Sequence, residues 1–583
     1  MTPARSLWRN RSAAVAPMIA ALGASLIGAA GFALDAGLYY AGSRELRAAT
    51  EAAALAAAIN PAQATDRARA ALSRNGYDPA ILQSVEIGRY CPDSSLTSAE
   101  RFDPGLTRCP GDGRVNAVRI RTGWPSRQFL TRVLGSASPI PQLAATATAA
   151  RIDEAGVGIS SGILTVSNAL VNSANDLLGA LIGVQLHLSN ADVEAMMASN
   201  VDAGRFFDAL AARVGETGTY AALTSRSVGL KDLLLAAASA AEQPATATTL
   251  TLVAGQVGNS YTVPLSGLFG LGVWKNMPVG EADDRPALRA GINAYQLFAF
   301  AVQAGSGTID PSDALSRVVS GTTARIAALA TGPMDRPRFS FGPAGETSVG
   351  TSALRLKLEL GLNLTILDTG VKPVSVLIDI AAARADVGAI DCADTAEQAR
   401  DTRVSLLASS GLVNAYIGTP PANAMSRPMP PLSASDIAPA RILNVLGIIT
   451  ADARAVAQPV MGNSGTLVFG PGGQGTVGRP GVPGSPASIG NGSQAGTLIT
   501  SLIGSLTAAN GLQVQVLSLC LPPLCSGSAV RSQLVGAITA PLTGLVGGTV
   551  DPLLDTLLAA LGIQLGHATL WATGARCGVP VLV

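Results

Sequence analysis

The sequence predicts an α+β protein, with a single N-terminal transmembrane helix and a long exit helix followed by an exported body of mixed helical and antiparallel β structure. Residues 12–34 run for 23 residues without a charged side chain, which is long enough to span a bilayer. Residues 43–59 are rich in helix formers and contain neither Gly nor Pro, which favours a continuing helix. Residues 354–364 place Leu at every second position, which is the period of a β-strand.

The composition describes an apolar chain with an aliphatic core. Of the 583 residues, 48% are apolar, 14% are charged and only 4% are aromatic. The length exceeds that of one ordinary domain, so two or three structural units are expected. The net charge is +1, which leaves no basic excess to neutralise phosphates. Nucleic acid is therefore not an expected partner.

The charges before the apolar span predict its orientation. Arg5, Arg9 and Arg11 lie in a short tail, residues 1–11, directly before the transmembrane segment 12–34. Positive charges favour the cytoplasmic side. The tail is therefore expected in the cytoplasm, the helix in the inner (cytoplasmic) membrane and the remaining chain in the periplasm or beyond. A cleaved signal peptide is the alternative, but the span is long for one and has no clean small-x-small cleavage site.

The segment that leaves the span carries a family motif. The predicted exit helix covers residues 35–60 and is followed by Pro61. Residues 31–58, GFALDAGLYYAGSRELRAATEAAALAAA, resemble the N-terminal domain of TadE/TadG-type Flp pilus-assembly proteins. The matching positions are Gly31, Asp35, Gly37, Tyr40, Leu46, Ala49, Glu51 and Leu55. Residues 565–583 and the segment that ends at Cys392 are similar to long TadG-like proteins, less specifically.

This resemblance implies a membrane-anchored envelope component of Flp/Tad pilus assembly, or of a related secretion apparatus, that acts as a scaffold or assembly protein. The implied partners are the membrane, other Tad/Flp pilus-assembly proteins and, as a homo-oligomer, further copies of the chain. Arg47 and Glu51 depart mildly from the family, in which Gln and Asp are commoner there. Two other functions remain open: an envelope adhesin or structural protein without a pilus role, and, less favoured, an envelope hydrolase.

The exported body divides into three segments. Residues 61–152 are predicted to be a disulfide-closed β-rich segment, residues 153–345 mainly helical, and residues 346–583 β-rich with a flexible Gly/Pro-rich surface loop at 470–496. The strand at 354–364 is expected to have one buried and one solvated face. The predicted elements are strands at 83–91, 113–122, 143–152, 354–364, 374–380, 403–407, 466–469 and 512–519, helices beginning at Asp202 and Asp284, a helix at 552–561 and a final strand containing Cys577.

The six cysteines form an even set, which suits an oxidising compartment. They are Cys91, Cys109, Cys392, Cys520, Cys525 and Cys577. A Cys91–Cys109 bridge is predicted to close the loop between the first two strands. Cys520 and Cys525 are near enough in sequence to bridge locally, which leaves Cys392 with Cys577. The alternative pairs Cys392 with Cys520 and Cys525 with Cys577, and spacing alone does not decide between them.

No residue pattern indicates catalysis, so the chain is expected not to be an enzyme and to need no cofactor or metal. Its two histidines, His187 and His567, lie in mostly apolar runs. The carboxylate pairs Asp283-Asp284 and Asp551/Asp555 are more simply helix caps and dipole partners. The sequence Asp93-Ser-Ser-Leu-Thr formally matches a metal site of some family members, but it follows a polar loop where a buried strand is needed.

Overall fold

The computed structural model contains two compact units. One unit comprises Met1–Ile152 with Gly578–Val583 (unit 1), and the other comprises Asp153–Cys577 (unit 2). The described residues are 11–91, 96–97, 99–108, 115–127, 141–160, 168–258, 260–280, 290–305, 324–332, 335–351, 353–361, 372–392, 402–411, 413–426, 429–457, 462–490, 494–508, 510–516, 531–540 and 567–583.

The transmembrane segment and the exit helix of the prediction form one continuous helix. α1 spans Arg11–Ala58, 48 residues, with Pro17 inside its first turns. Its Ala- and Leu-rich sequence has high helix propensity. From Pro17 onward it is long and apolar enough to cross a membrane, with a mean hydropathy of 1.8 over its most apolar window. A short turn with Pro61 at the start of a 3₁₀ helix separates it from α2, Ala64–Arg74.

Unit 1 places α1 and α2 on one face of an antiparallel sheet. The strands are β1 Leu82–Tyr90, β2 Phe102–Asp103, β3 Ala117–Pro125 and β4 Gln142–Ser160. Their order is β2-β1-β3-β4, and the β3–β4 register runs from Ala117 opposite Ala150 to Pro125 opposite Gln142. The strands predicted in this part of the chain are confirmed. Buried alanines of α1 and α2 pack on the β3 and β4 side chains.

β4 corrects one prediction, because residues 155–160 were expected to be helical. After Ala150 the strand loses β3 as its partner. Residues 154–158 then pair with the distant strand Phe339–Pro343. The helix prediction was wrong here, since Gly156 and Gly158 have low helix propensity and a partner strand nearly two hundred residues away holds the segment extended.

Unit 2 contains a helical layer. The helices are α3 Asn168–Ile182, α4 Asn190–Met197, α5 Ala203–Val214, α6 Tyr220–Thr224, α7 Leu230–Ala240, α8 Pro244–Gln256, α9 Ala294–Ala304 and α10 Gln494–Thr507, with a further helix over 531–540. The helix predicted to begin at Asp202 is confirmed. The Asp202 carboxylate accepts from the Arg205 N–H, and Gly215 ends the helix at φ +67°, as capping requires.

The start of the helix expected from Asp284 lies outside the described residues, and the next described helix, α9, begins at Ala294. Asn293 is the N-cap of α9, where its side chain accepts from the Gln296 N–H. Ile292, expected in this helix, belongs to the preceding short strand, which pairs with the residues before α5. Two short strands therefore fix the entry into both helices.

The remaining strands form several small sheets. They are β5 Asn200–Asp202, β6 Ser227–Gly229, β7 Thr262–Pro264, β8 Phe269–Gly270, β9 Gly291–Asn293, β10 Ala324–Thr331, β11 Phe339–Pro343, β12 Ser348–Gly350, β13 Leu354–Leu360, β14 Val374–Ile380, β15 Arg384–Asp391, β16 Arg403–Ser409, β17 Val413–Ile417, β18 Ala440–Val445, β19 Ile449–Ala453, β20 Ala455–Val456, β21 Ser464–Phe469, β22 Ala487–Ile489, β23 Leu512–Val516 and β24 Ala568–Leu582. The orders are β10-β13-β14-β17-β20, β12-β15-β16-β21 and β18-β19-β23. β10 and β11 are strands within residues 153–345, the region predicted to be mainly helical, which also holds α3 to α9.

The strand with alternating leucines pairs with β14 as predicted, Leu354 lying opposite Ile380. Its polar face is covered at Arg355, whose side chain is only 1% exposed, whereas Lys357 and Glu359 stay partly exposed at 28% and 17%. The Arg355 Nη1 donates to the carbonyl oxygens of Ala424 (2.8 Å) and Pro430 (3.1 Å). A segment after β17 therefore covers one end of the face that periodicity assigned to water.

The Gly/Pro-rich segment is packed, which corrects the expectation of a flexible loop. The Gly478 N–H donates to the Ala572 carbonyl at 2.7 Å. Gly481 has φ +75°, and a Cβ there would collide with the Glu242 carboxylate. β22, which pairs with β24, also lies in this segment. Glycine is suited to such close backbone approach. The helix predicted at 552–561 lies outside the described residues.

Candidate functional site

The C-terminal part of α1 packs on the unit 1 sheet through small residues. Leu46, Ala49, Ala53 and Ala57 recur every three or four residues and are at most 3% exposed, so they form one helix face. Closer to the N-terminus of α1, Gly42 lies so near the sheet that a Cβ there would be 3.1 Å from Leu143 Cδ1. These small side chains allow the helix axis to approach the strands closely.

Two buried hydroxyls lie inside this otherwise apolar interface. Thr50 Oγ1 lies 2.6 Å from Thr122 Oγ1 on β3. The Thr50 hydroxyl also donates to the Leu46 carbonyl at 2.7 Å. Because a hydroxyl has a single proton to donate, the Thr122 hydroxyl is the donor between the two threonines. The pair fixes the position of α1 on the sheet.

The family-motif positions fall into three environments. Gly31 and Asp35 are buried, whereas Gly37 and Tyr40 are exposed. Leu46 and Ala49 are buried in the cluster between the helices and the sheet, and Leu55 packs against that cluster while partly buried. Glu51 forms an exposed ion pair with Arg47 at 2.8 Å. Sequence reasoning missed Thr50, Gly42 and Thr122, since their role depends on strands that follow the motif by many residues.

The N-terminal half of α1 presents large apolar side chains on its surface. The side chains of Met18, Ile19, Leu26, Ile27 and Phe32 are 63–70% exposed. A contiguous apolar surface of this kind requires a non-aqueous neighbour. A helix satisfies its own backbone hydrogen bonds, so it can occupy hydrocarbon.

Unit 2 contains a buried carboxyl, Glu154 on β4. It is 3% exposed, and its Oε2 accepts a hydrogen bond from the Trp274 indole Nε1 at 3.0 Å. Burial raises the pKa of Glu154 to about 7, while Arg576 and the Trp274 hydrogen bond act in the opposite direction. The Arg576 guanidinium lies 4.9 Å from the centre of the Trp274 ring. Glu154, Gly156, Phe341 and Arg576 line a narrow pocket.

A disulfide in unit 2 joins Cys392 to Cys577, with a Cα–Cα distance of 5.8 Å. This is the pairing that the sequence argument favoured over the alternative. Cys91 is also disulfide-bonded. Its expected partner Cys109 lies outside the described residues, as do Cys520 and Cys525, so those pairings remain predictions.

The other sequence candidates are only partly among the described residues. The Asp153 carboxylate lies near the sulfurs of Cys392 and Cys577, but sulfurs held in a disulfide are not thiolate ligands for a metal. His187 is exposed at the start of the segment before α4. The pairs Asp283-Asp284 and Asp551/Asp555 lie outside the described residues, as does Asp93.

Two family models match the chain. Residues 41–149 match a model described as Tad-like Flp pilus-assembly. Residues 171–329 match a model described as a domain of unknown function (DUF8293). Searches of curated proteins and of solved structures found no significant match. The first match covers the sheet-bound half of α1, all of α2 and the strands β1 to β3.

The match confirms the resemblance deduced from residues 31–58: the chain carries a Tad-like Flp pilus-assembly domain. In structural terms this domain is the sheet of unit 1 together with the helices packed on it. The chain is therefore related to pilus assembly, and it combines this domain with an apolar N-terminal helix and a larger second unit.

Proposed function

We propose that the chain is a membrane-anchored envelope component of Flp/Tad pilus assembly, or of a related secretion apparatus, and that it acts as a scaffold for other assembly proteins. The observation that carries this proposal is the position of the Tad-like domain. The domain is built on the same continuous helix whose preceding half is apolar and exposed. The membrane anchor and the Tad-like domain thus share one continuous helix.

The anchor would cross the inner membrane once, with its N-terminus in the cytoplasm. The arginines at positions 5, 9 and 11 precede the apolar half of α1 and favour the cytoplasmic side. The body would then lie in the periplasm. An oxidising compartment agrees with the disulfide between Cys392 and Cys577.

The scaffold would act by binding and not by catalysis. The interface between α1 and the sheet is dry and closely packed, with Ala53 and Ala57 fully buried. Such packing holds the Tad-like domain at a fixed orientation to the helix. In unit 2, the buried carboxyl of Glu154 already accepts from Trp274 in a narrow pocket, which suits a structural role better than substrate turnover.

Deletion of the gene, with complementation, tests the assembly role. Loss of surface pili in electron micrographs, restored by the intact chain, is the expected result. Complementation with Ala53→Glu, which forces a charge into the buried α1 face, should fail to restore pili. Ala48→Glu, on the exposed face of the same helix, is the matched control and should restore them. Normal pili in the deletion strain would reject an assembly role and favour the adhesin.

The anchor itself needs a separate experiment. Membranes are washed with alkaline carbonate, and the retained protein is examined by mass spectrometry of its N-terminus. Retention with residues 12–34 intact supports the single-pass anchor. Release of a protein that has lost this segment would show a cleaved signal peptide and reject the anchor.

A further inference from the structure

The register of unit 1 determines which end of its sheet lies nearest to the apolar half of α1. Gly42 of α1 lies against Leu143 at the start of β4. Thr50, two helical turns later, meets Thr122 of β3. Leu143 in turn pairs with Trp124, near the end of β3. The sheet end formed by Trp124 and Leu143 is therefore the one closest to the apolar span.

Aromatic side chains with polar edges gather at this end. The rings of Tyr77 and Trp124 meet edge to face with centroids 6.1 Å apart, and both side chains are half-buried. On α1, Tyr39 and Tyr40 are 43% and 65% exposed. Tyrosine and tryptophan favour the membrane–water interface, where the ring is apolar and its edge is wet.

Arginines accompany these aromatic residues. The Arg44 guanidinium lies 6.0 Å from the centre of the Tyr40 ring. Arg127 is exposed just after β3 and is near enough to lower the pKa of Tyr77, which burial and Glu45 raise. Residues 35–152, which follow the apolar span, hold 14 Arg against 10 acidic residues, a net charge of +4, although the whole chain carries only +1.

The distance along α1 brings this end to the headgroup layer. From the end of the apolar span at residue 34 to Gly42 the helix rises about 12 Å at 1.5 Å per residue. The polar layer of a bilayer is roughly 5–8 Å thick on each side of the hydrocarbon. Long Arg and aromatic side chains bridge the remaining few ångströms, because they extend their polar ends toward the interface.

We propose that this membrane-facing end of unit 1, formed by Tyr39, Tyr40, Arg44, Tyr77, Trp124 and Arg127, rests on the membrane that α1 crosses and binds anionic phospholipid headgroups through Arg44 and Arg127. The inference rests on the proposed membrane anchor. Beyond that anchor, the inference adds that unit 1 contacts the lipid surface at a second place, beside the helix. Because α1 already holds this end near the lipid, individually weak headgroup contacts act at high effective concentration.

The first test locates Trp124 in the full-length protein reconstituted into vesicles. Phosphatidylcholine with a nitroxide on its headgroup quenches tryptophans that lie at the interface. The test uses a Trp8→Phe background, because Trp8 lies directly before the apolar span and would be quenched as well. In that background the quenched part of the emission should be largely lost on adding Trp124→Phe. It should be retained on adding Trp274→Phe, the matched control, because Trp274 belongs to unit 2 and is 7% exposed. Equal quenching with and without Trp124→Phe in that background overturns the proposal and leaves this end to water or to a protein partner.

The second test concerns lipid charge. Quenching of Trp124 should be stronger in vesicles of mixed phosphatidylcholine and phosphatidylglycerol than in phosphatidylcholine alone. The Arg44→Gln/Arg127→Gln variant should lose this difference. The matched control Arg47→Gln/Arg69→Gln removes the same charge from exposed positions elsewhere on α1 and α2 and should keep it. No effect of phosphatidylglycerol, or an equal loss in the control, overturns headgroup binding.

Carbonate washing of the same vesicles separates this inference from the proposed anchor. Protein that is released was never anchored, and the proposed membrane anchor then fails. Protein that is retained but shows no headgroup quenching of Trp124 contradicts only the membrane-facing end.

Discussion

The hydroxyl of Thr122 on β3 donates to the hydroxyl of Thr50 on α1 across 2.6 Å, and both residues are fully buried. The surrounding contacts are almost entirely between alanine and aliphatic side chains. A single polar pair in such an interface has one orientation in which both hydroxyls are satisfied, so it specifies the position of the helix. Removing one partner leaves the other hydroxyl buried without its hydrogen bond.

Thr50→Val is expected to lower the free energy of unfolding by about 1–2 kcal/mol, the usual cost of a buried hydroxyl without a partner. Thr50→Val/Thr122→Val should cost less than the sum of the single changes, since neither polar group remains. Urea unfolding of the detergent-solubilised chain measures both. Thr146→Val, at an exposed position of β4, is the control. Strict additivity of the two single changes would contradict the coupling.

The buried ion pair between Arg355 and Asp379 gives a second prediction. Arg355 Nη2 lies 2.9 Å from Asp379 Oδ2 on β14. Arg355→Met leaves Asp379 with an uncompensated charge, and the expected loss is about 3–5 kcal/mol. The pair Arg441 and Asp452 has an arginine that is 45% exposed, so Arg441→Met should cost less than about 1 kcal/mol. Thermal unfolding compares the two, and similar losses would show that Arg355 is solvated.

The carboxyl of Glu154 predicts a pH dependence of stability. Burial raises its pKa to about 7 in the folded chain, against an ordinary value of 4.5. Between these values the folded state holds a proton that the unfolded state has released. The free energy of unfolding therefore falls as the pH rises from about 5 to about 7, by roughly 3 kcal/mol.

Glu154→Gln should remove this part of the pH dependence, because its amide stays neutral and still accepts from Trp274. The measurement is urea unfolding across the pH range, followed by tryptophan emission. The exposed Glu194→Gln change on α4 is the control and should leave the wild-type profile intact. An unchanged slope in Glu154→Gln would assign the pH dependence to other groups.

The disulfide between Cys392 and Cys577 closes a loop with a sequence separation of 185. The chain-entropy estimate for a loop of this length is about 5 kcal/mol, and Cys392→Ser/Cys577→Ser should approach that loss. Peptide mapping under non-reducing conditions tests the pairing directly. A peptide that joins Cys525 to Cys577 would support the alternative connectivity instead.

Local regularity made several elements predictable. The uncharged span, the Leu alternation of β13 and the Asp202 cap each depend on residues within one element, so the sequence alone specifies them. The motif at residues 31–58 resembles the Tad-like family, and the family model over residues 41–149 confirms that resemblance. The small residues of the motif also recur at helical spacing, which predicts one packed helix face. The positions of Leu46 and Ala49 on the buried face agree with that pattern.

Tertiary structure alone decided which polar and glycine-rich segments are buried. The leucine alternation in β13 does not reveal that a later segment covers Arg355. The local sequence before α3 does not reveal that β11 pairs with the second half of β4. Glu154 likewise acquires its raised pKa from burial, which segments distant in the sequence bring about, while the Trp274 hydrogen bond acts in the opposite direction. Periodicity reports the geometry of one element, whereas burial depends on which remote segment packs against it, and only the folded chain brings those segments together.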